Sequence, residues 1–215
     1  MKKKQYILFD LDGTVTEPFE GITNCVAYAL KHFGIEVEDR NTLRPFIGPP
    51  LIDSFQEFYG FSKEQAEEAT KKYRELYNIE GIYQNELYEG MKELLSYLKE
   101  KRKTVFLATS KPDVFANRIL SYFAIDDYFD FVGGSDINGE RNTKSAVIQY
   151  VLERNGITDI SQAVMVGDRK YDILGAKNFG MDSIGVLYGH GSREELEQAG
   201  ATKIAETVSA LKEIL

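Results

Sequence analysis

Two aspartates near the start of the chain carry the clearest signal of chemistry. Asp10 and Asp12 directly follow Tyr6–Phe9, a short apolar run that is typical of a buried strand. Ligands bind at the carboxyl ends of strands in open parallel sheets, and Gly13 allows the backbone to turn sharply there. Because two carboxylates so close together need a cation or a proton between them, the pattern predicts a metal-assisted phosphate site rather than an acidic turn alone.

A second group of polar residues follows another apolar run. Residues 104–108 end in Thr109, Ser110 and Lys111, and a helical pattern comes next. Two hydroxyl groups beside the free N–H groups of a helix N-terminus form a natural phosphate cradle, although helix capping alone also explains them. Lys144 opens a later helical pattern, and its ammonium group would neutralise the carboxylates and a bound phosphate there.

A further acidic pair follows the apolar run 163–166. Asp168 comes directly after Gly167, and Asp172 lies four residues further on. If a helix begins between the two aspartates, both carboxylates face the same edge of the sheet. Magnesium is bound by one or two carboxylates together with water and substrate phosphate, so the pattern predicts a Mg²⁺ site here.

Composition and charge exclude several classes of protein. The 215 residues are 43% hydrophobic and 28% charged, as in an ordinary soluble globular protein. A formal net charge of -8 argues against a nucleic-acid-binding protein, which would present a basic face. The apolar run before Asp10 is too short for a signal sequence or a membrane span. The single cysteine, Cys25, fits a reducing compartment, and we expect a cytoplasmic location.

Apolar runs alternate with helical patterns from about residue 103 onward. The runs are 104–108, 128–132, 163–166 and 183–187, and the helical patterns cover 113–123, 144–155 and 171–179. This alternation predicts an α/β fold with a Rossmann-like parallel sheet that is covered by helices on both faces.

The segment between the first strand and this alternating region is different. It carries long helical patterns and no clear strand, and Ser62 and Gln65 form a capping-box pattern. We therefore predict a core domain of residues 1–16 and 87–215, interrupted by a small helical cap domain of residues 17–86. Because the insert leaves the core directly after the acidic turn, we expect it to form a lid over that site.

These motifs together resemble those of the haloacid dehalogenase-like (HAD) hydrolase superfamily over nearly the whole chain. The insert is similar to the C1 cap of that superfamily, and the chain is most similar to its phosphoglycolate phosphatase group. The four motifs are matched by Asp10-x-Asp12-Gly13-Thr14, Thr109, Lys144 and Gly167-Asp168-x-x-x-Asp172. The likeness to the group depends on Thr-Ser-Lys-Pro at 109–112, Gly-Asp-Arg-Lys-Tyr-Asp-Ile-x-Gly-Ala-Lys at 167–177 and Gly-Ser-Arg-Glu-Glu-Leu at 191–196.

The resemblance implies a mechanism and a role for each matched residue. Asp10 would be the nucleophile that forms an aspartyl-phosphate, and Asp12 would be the general acid and then the general base. Mg²⁺ would be held by the Asp10 carboxylate, the Asp12 backbone carbonyl and Asp168, while Asp172 would orient a water on the metal. The phosphate oxygens would be bound by Thr109, Ser110 and Lys144. Lys111 is a rival to Lys144 as the cation of this site.

The residues that select the substrate are harder to identify. Arg44 and Phe46 lie in a proline-rich stretch of the insert, 43–51, whose loop shape is restricted. Arg44 would meet an anionic substrate group and Phe46 would form an apolar wall, but a rigid connector explains the stretch equally well. His190 lies between two glycines after a predicted strand, and we interpret it as an ordinary loop histidine.

We expect a magnesium-dependent phosphatase that hydrolyses a small-metabolite phosphate monoester, either phosphoglycolate-like or nucleotide-like; pyrophosphate would also fit. The alternative is a phosphomutase of the β-phosphoglucomutase type, which would use the same aspartyl-phosphate. A non-catalytic phosphate-binding module is disfavoured because no catalytic residue is missing. The expected partner is a small phosphorylated metabolite, without nucleic acid or membrane, and the protein is expected to be a monomer or a homodimer.

Overall fold

The computed structural model describes residues 3–136 and 141–215 of the chain. Two compact units are present. The core unit comprises Met1–Glu17 and Leu87–Leu215, and the helical unit comprises Pro18–Glu86. Every helix within the described ranges is too short or too polar to span a lipid bilayer.

Strands and helices alternate through most of the core unit. The strands, in chain order, are β1 (Tyr6–Phe9), β2 (Thr16–Glu17), β3 (Glu86–Leu87), β4 (Thr104–Pro112), β5 (Phe131–Ser135), β6 (Ala163–Gly167), β7 (Asp182–Val186) and β8 (Lys203–Ala205). The α-helices are α1 (Phe19–His32), α2 (Leu51–Tyr59), α3 (Lys63–Tyr77), α4 (Met91–Glu100), α5 (Asp113–Tyr122), α6 (Lys144–Arg154), α7 (Lys170–Lys177), α8 (Arg193–Ala199) and α9 (Val208–Ile214). Short 3-10 turns lie at Arg40–Phe46, Gly81–Tyr83, Asp126–Tyr128 and Ile160–Gln162.

The core unit is built on one parallel sheet with the strand order β5-β4-β1-β6-β7-β8. Leu8 and Phe9 of the central strand β1 are fully buried, as expected for a strand covered on both faces. On one face, Val147 and Val151 of α6 belong to the same buried cluster as Leu8 and Met165. The predicted Rossmann-like α/β fold is confirmed.

The predicted strand at 128–132 is wrong at its start. Asp126–Tyr128 forms a 3-10 turn, and the Phe129 N–H donates to the Asp126 carbonyl at 3.0 Å. Strand β5 therefore begins only at Phe131. The pairing of β2 with β3 lies at the two boundaries of the insert, and strands of two residues are too short to show a period in the sequence.

The helical unit is held together by α1, α2, α3 and an aromatic cluster. The capping box predicted at the start of α3 is confirmed: the Ser62 side chain accepts from the Gln65 N–H, and the Gln65 side chain accepts from the Ser62 N–H. Phe46 is 2% exposed, with its ring 5.0 Å from that of Phe55 and 5.3 Å from that of Phe58. These aromatic residues therefore form part of the core of this unit.

Candidate active site

The carboxyl ends of three adjacent strands bring the predicted site residues together. β1 lies between β4 and β6, with Phe9 level with Leu107 on one side and Val166 on the other. Residues at the ends of these strands therefore share one edge of the sheet. They are Asp10 after β1, Thr109 and Lys111 in the last part of β4, and Asp168 after β6.

The turn after β1 is compact and lies against Asp168. The N–H groups of Thr14, Val15 and Thr16 converge on the Leu11 carbonyl at 3.2, 2.9 and 3.0 Å. Gly13 has a φ of 80°, in the region that favours glycine. A Cβ at this position would lie 2.2 Å from Oδ2 of Asp168, so only glycine fits between the two segments.

Three buried carboxylates meet at this edge. Asp10, Asp168 and Asp172 each contribute one oxygen to a group whose members lie within 4.8 Å of one another. Oδ2 of Asp168 accepts a hydrogen bond from the His190 N–H at 2.8 Å. Oδ2 of Asp172 accepts one from the Arg169 N–H at 3.1 Å, which fixes this side chain at the start of α7. The sequence pattern thus placed all three aspartates on one edge of the sheet.

Burial and like charges act together on these acids. Burial, followed by the negative charges of Asp172 and Asp10, raises the pKa of Asp168 well above its usual range. Burial also raises the pKa of Asp172 to about 6, although the ammonium group of Lys144 acts in the opposite direction. A cation among these oxygens would favour their ionised form.

Lys144, the first residue of α6, contacts this carboxylate cluster. Its Nζ lies 2.8 Å from Oδ1 of Asp10, 2.8 Å from Oδ1 of Asp172 and 3.0 Å from the Ala108 carbonyl. Burial alone would lower the pKa of Lys144, but the two aspartates outweigh burial and raise it above the usual range. Thr143 caps α6 by accepting from the Ala146 N–H, which fixes where the helix begins.

Lys111 pairs with a different carboxylate. Its Nζ lies 2.9 Å from Oδ2 of Asp12, and both side chains are nearly buried. Burial raises the pKa of Asp12 above its usual range, although Lys111 acts in the opposite direction. A raised pKa suits a carboxylic acid that must hold a proton near neutral pH. The two rival lysines therefore both reach the site, where Lys144 contacts Asp10 and Lys111 contacts Asp12.

The two predicted hydroxyl groups lie in an irregular part of β4. Pairing with β5 changes register between Ala108 and Pro112, around Thr109 and Ser110. Thr109 is almost fully buried, and its hydroxyl oxygen accepts from the Lys111 N–H at 3.2 Å. Ser110 is half-buried. Their roles in phosphate binding stay predictions.

The donor set of this edge fits a hard divalent cation. If all four aspartates at this edge are ionised, the two ammonium groups of Lys144 and Lys111 leave an excess of negative charge. Uncompensated charge is costly in a buried place, and carboxylate oxygens are the ligands that Mg²⁺ prefers. The residues present therefore fit Mg²⁺ bound among Asp10, Asp168 and their neighbours.

The two residues proposed for substrate selection lie in the helical unit. Arg44 is exposed, and its guanidinium carbon lies 4.3 Å from the centre of the Phe19 ring. Its Nε donates to Oδ1 of Asn41 at 3.3 Å. Phe46 packs in the aromatic cluster of the unit. Local contacts thus occupy both side chains, and their roles in specificity stay predictions.

Our sequence interpretation missed a buried group next to the carboxylates. His190, which we interpreted as an ordinary loop histidine, has a side chain that is 2% exposed. Its Nε2 lies 3.1 Å from Oε1 of Glu17, and Oε2 of Glu17 accepts from the Tyr88 hydroxyl at 2.9 Å. The available signal was the pair of glycines around His190, since flanking glycines allow a loop to approach other backbone closely.

Comparison with known proteins agrees with the motifs at this edge. A model of the haloacid dehalogenase-like hydrolase family matches residues 7–186. The chain is 43% identical to a 5′-nucleotidase of Pseudomonas aeruginosa, over 97% of this chain and 94% of that protein. It is 33% identical to the tyrosine-protein kinase PtkA of Mycobacterium tuberculosis, over 98% of this chain and 72% of that protein. A phosphoglycolate phosphatase of Vibrio parahaemolyticus is 30% identical, over 97% and 95% of the two chains.

Solved structures extend the likeness to three dimensions. The crystal structure of a predicted phosphatase from Clostridium acetobutylicum matches with a TM-score of 0.96 at 45% identity, over 99% of this chain and 98% of that one. A haloacid dehalogenase-like hydrolase from Streptococcus pneumoniae matches with a TM-score of 0.90 at 31% identity, over 100% of both chains. The α/β architecture and the whole length of the chain are therefore shared with hydrolases of known structure.

Proposed function

Because the chain belongs to the haloacid dehalogenase-like hydrolase family, we propose that it is a magnesium-dependent phosphatase that releases phosphate from a small-molecule monoester. One observation carries the proposal: Asp10, Asp168 and Asp172 form a buried carboxylate cluster, and Lys144 makes ion pairs of 2.8 Å to two of its members. A buried cluster of this kind is suited to bind a metal and a phosphoryl group side by side.

The reaction begins with Asp10 as the nucleophile. Its carboxylate oxygen attacks phosphorus, the bond from phosphorus to the ester oxygen breaks, and an aspartyl-phosphate forms on Asp10. Asp12 donates its proton to the leaving oxygen, so an alcohol rather than an alkoxide departs. Water then attacks phosphorus, Asp12 takes up a proton from it, and the carboxylate of Asp10 is regenerated with inorganic phosphate.

The remaining residues bind and orient the phosphoryl group. Lys144, the Thr109 hydroxyl and Ser110 would bind its oxygens. Asp10, the Asp12 backbone carbonyl and Asp168 would hold Mg²⁺, with Asp172 orienting a water on it. When bound, the metal stabilises negative charge on the transferring group.

The relatives support a narrower class of substrate. One relative at 43% identity is named a 5′-nucleotidase, and one at 30% a phosphoglycolate phosphatase. Both are phosphatases whose names describe monoesters of small molecules. We therefore place nucleoside 5′-monophosphates first among the substrates and phosphoglycolate second.

Phosphate release from a defined panel tests this proposal. The panel contains nucleoside 5′-monophosphates, phosphoglycolate, sugar phosphates, pyrophosphate and phosphotyrosine, each with and without Mg²⁺. We expect turnover of at least one monoester, with release dependent on Mg²⁺. Conversion of a sugar phosphate to an isomer without net phosphate release would instead identify a phosphomutase. Release from phosphotyrosine alone would replace the small-molecule substrate class by a protein substrate.

Substitution of Asp168 tests the metal site without relying on activity. We expect Asp168→Asn to weaken Mg²⁺ binding by about tenfold or more, because one charged oxygen ligand is lost from a site with few of them. Calorimetric titration of each protein with MgCl₂ measures the change. Asp127→Asn, at an exposed position of the core unit, is the matched control. Equal Mg²⁺ affinity in wild type and Asp168→Asn would place the metal elsewhere.

A further inference from the structure

A short loop after β7 packs directly against the acidic residues. This 188–191 loop consists of Tyr188, Gly189, His190 and Gly191. A Cβ at Gly189 would lie 2.2 Å from the Gly13 carbonyl oxygen and 2.4 Å from Cβ of Asp168. Glycine is therefore required for the loop to touch both segments at this point.

The imidazole of His190 is buried and lies beside a carboxylate. Its side chain is 2% exposed, and Nε2 lies 3.1 Å from Oε1 of Glu17. The Tyr88 hydroxyl donates to the other oxygen of Glu17 at 2.9 Å. The two atoms lie within ion-pair distance without the alignment of a hydrogen bond, so the imidazole packs beside the carboxylate of Glu17. Within the core unit, Glu17 is therefore contacted by both His190 and Tyr88.

The 188–191 loop also contacts the turn that carries Asp12 at a second point. The Tyr188 hydroxyl donates to the Thr14 carbonyl at 3.1 Å, and the ring of Tyr188 packs at an angle on that of Tyr88, 4.9 Å away. The turn that carries Asp12 is closed by hydrogen bonds to the Leu11 carbonyl and ends just before Glu17. Contacts at Thr14 and Glu17 therefore hold the whole turn against the loop.

We propose that His190 is a positioning residue for the general acid: through Glu17 it holds the turn so that the carboxyl group of Asp12 meets the leaving oxygen of the substrate. This inference rests on the proposed function, since it concerns the proton that Asp12 delivers. The electrostatic interactions of Asp12 agree with a position of His190 close to it. Burial raises the pKa of Asp12, and the imidazole of His190 is among the groups that act in the opposite direction.

The leaving group of the substrate separates positioning of the acid from a general structural role. An alkyl phosphate releases a strongly basic oxygen and depends on the proton from Asp12, whereas p-nitrophenyl phosphate releases a weakly basic one and depends on it little. A misplaced acid therefore slows the alkyl ester selectively. A damaged fold or a lost metal slows both esters alike.

The test compares two esters in His190→Ala, His190→Gln and Glu17→Gln. The alkyl ester is the panel compound that the wild-type protein turns over, and the aryl ester is p-nitrophenyl phosphate. For His190→Ala we expect the kcat of the alkyl ester to fall at least about tenfold more than that of the aryl ester. Glu17→Gln should also slow the alkyl ester more than the aryl ester. This variant serves as the test if His190→Ala does not fold. His190→Gln, which keeps a polar group beside Glu17, should lose less activity on the alkyl ester.

The other histidine of the chain provides a matched control. His32 also pairs with a glutamate, with Nε2 2.9 Å from Oε1 of Glu68, but both side chains are exposed in the helical unit. His32→Ala should change neither ester. Mg²⁺ affinity of His190→Ala should equal that of wild type, because Asp168 is contacted by the backbone N–H of His190.

Three outcomes would overturn the proposal. An equal loss of kcat on both esters would mean that His190 has only a structural role, while the proposed function would stand. A fall in Mg²⁺ affinity that accounts for the loss would do the same. If the wild-type protein releases phosphate from neither ester, the proposed function and the role of His190 fail together.

Discussion

Asp10→Asn is expected to lower phosphate release by at least ~10⁴-fold, because the amide cannot attack phosphorus and no aspartyl-phosphate can form. The substitution preserves the shape of the side chain and removes one negative charge from a crowded buried cluster. Lys144 keeps its ion pair to Asp172 at 2.8 Å. The variant should therefore fold, and its loss of activity should reflect chemistry rather than stability.

The covalent intermediate gives this prediction a second readout. Wild-type protein quenched during turnover and treated with borohydride should contain homoserine at position 10, since borohydride reduces an acyl phosphate. Asp10→Asn should give no such product, and the exposed control Asp127→Asn should behave as wild type. Phosphate release by Asp10→Asn at more than about a hundredth of the wild-type rate would remove Asp10 as the nucleophile.

Residues that follow strands could be placed from the sequence with good precision. Asp10 and Asp168 each come directly after an apolar run, and the carboxyl ends of parallel strands share one edge of a sheet. Their closeness also requires β1 and β6 to be neighbours in the sheet, which the structure shows and the sequence pattern does not give. Asp172 required only one further assumption, that a helix begins between it and Asp168, and α7 does begin at Lys170.

The contacts of long side chains, and of side chains on loops, could not be predicted in this way. Lys144 and Lys111 compete in the sequence for one role, but their ion pairs are to different aspartates. Which aspartate each lysine contacts depends on the directions in which α6 and the irregular end of β4 point two flexible side chains. The spacing of residues in the sequence does not encode these directions. Phe46 lay in a loop-like stretch rich in proline, yet its neighbours in space are the rings of α2.

His190 illustrates a different limit. Its burial arises because the 188–191 loop presses against Gly13 and Asp168, which are distant in the chain. A single histidine carries no periodic signal, so a solvated loop was the reasonable interpretation. Glycines on both sides of a polar residue were the evidence for close approach, and they acquire this meaning only once the loop is known to follow a strand of the same sheet.

Lys144→Met is expected to reduce both stability and activity strongly. The substitution leaves Asp10 and Asp172 buried without their shared cation and the Ala108 carbonyl without its 3.0 Å donor. Removal of one partner from a buried ion pair costs about 3–5 kcal/mol of the free energy of unfolding. If Lys144 binds the transferring phosphoryl group as proposed, loss of its positive charge should lower kcat/KM by ~10²–10³-fold or more. Urea unfolding and phosphate release measure the two effects.

Added Mg²⁺ separates the two contributions. A divalent cation among Asp10, Asp168 and Asp172 replaces part of the missing positive charge, so we expect it to stabilise Lys144→Met more than it stabilises wild type. Activity should stay low even where stability recovers, because the metal cannot replace the ammonium group that we propose binds the phosphoryl oxygens. Lys177→Met, at an exposed position of α7, is the matched control.

Lys111→Met decides which lysine binds the phosphoryl group. Lys111 contacts Asp12, so its loss should impair the general acid and leave the affinity for inorganic phosphate, measured as product inhibition, within a few-fold of wild type. Lys144→Met should weaken that inhibition at least about tenfold, because Lys144 lies beside the nucleophile. The reverse pattern, with phosphate inhibition lost in Lys111→Met and kept in Lys144→Met, would assign the phosphate-binding cation to Lys111. Lys144 would then serve to hold Asp10 and Asp172 together.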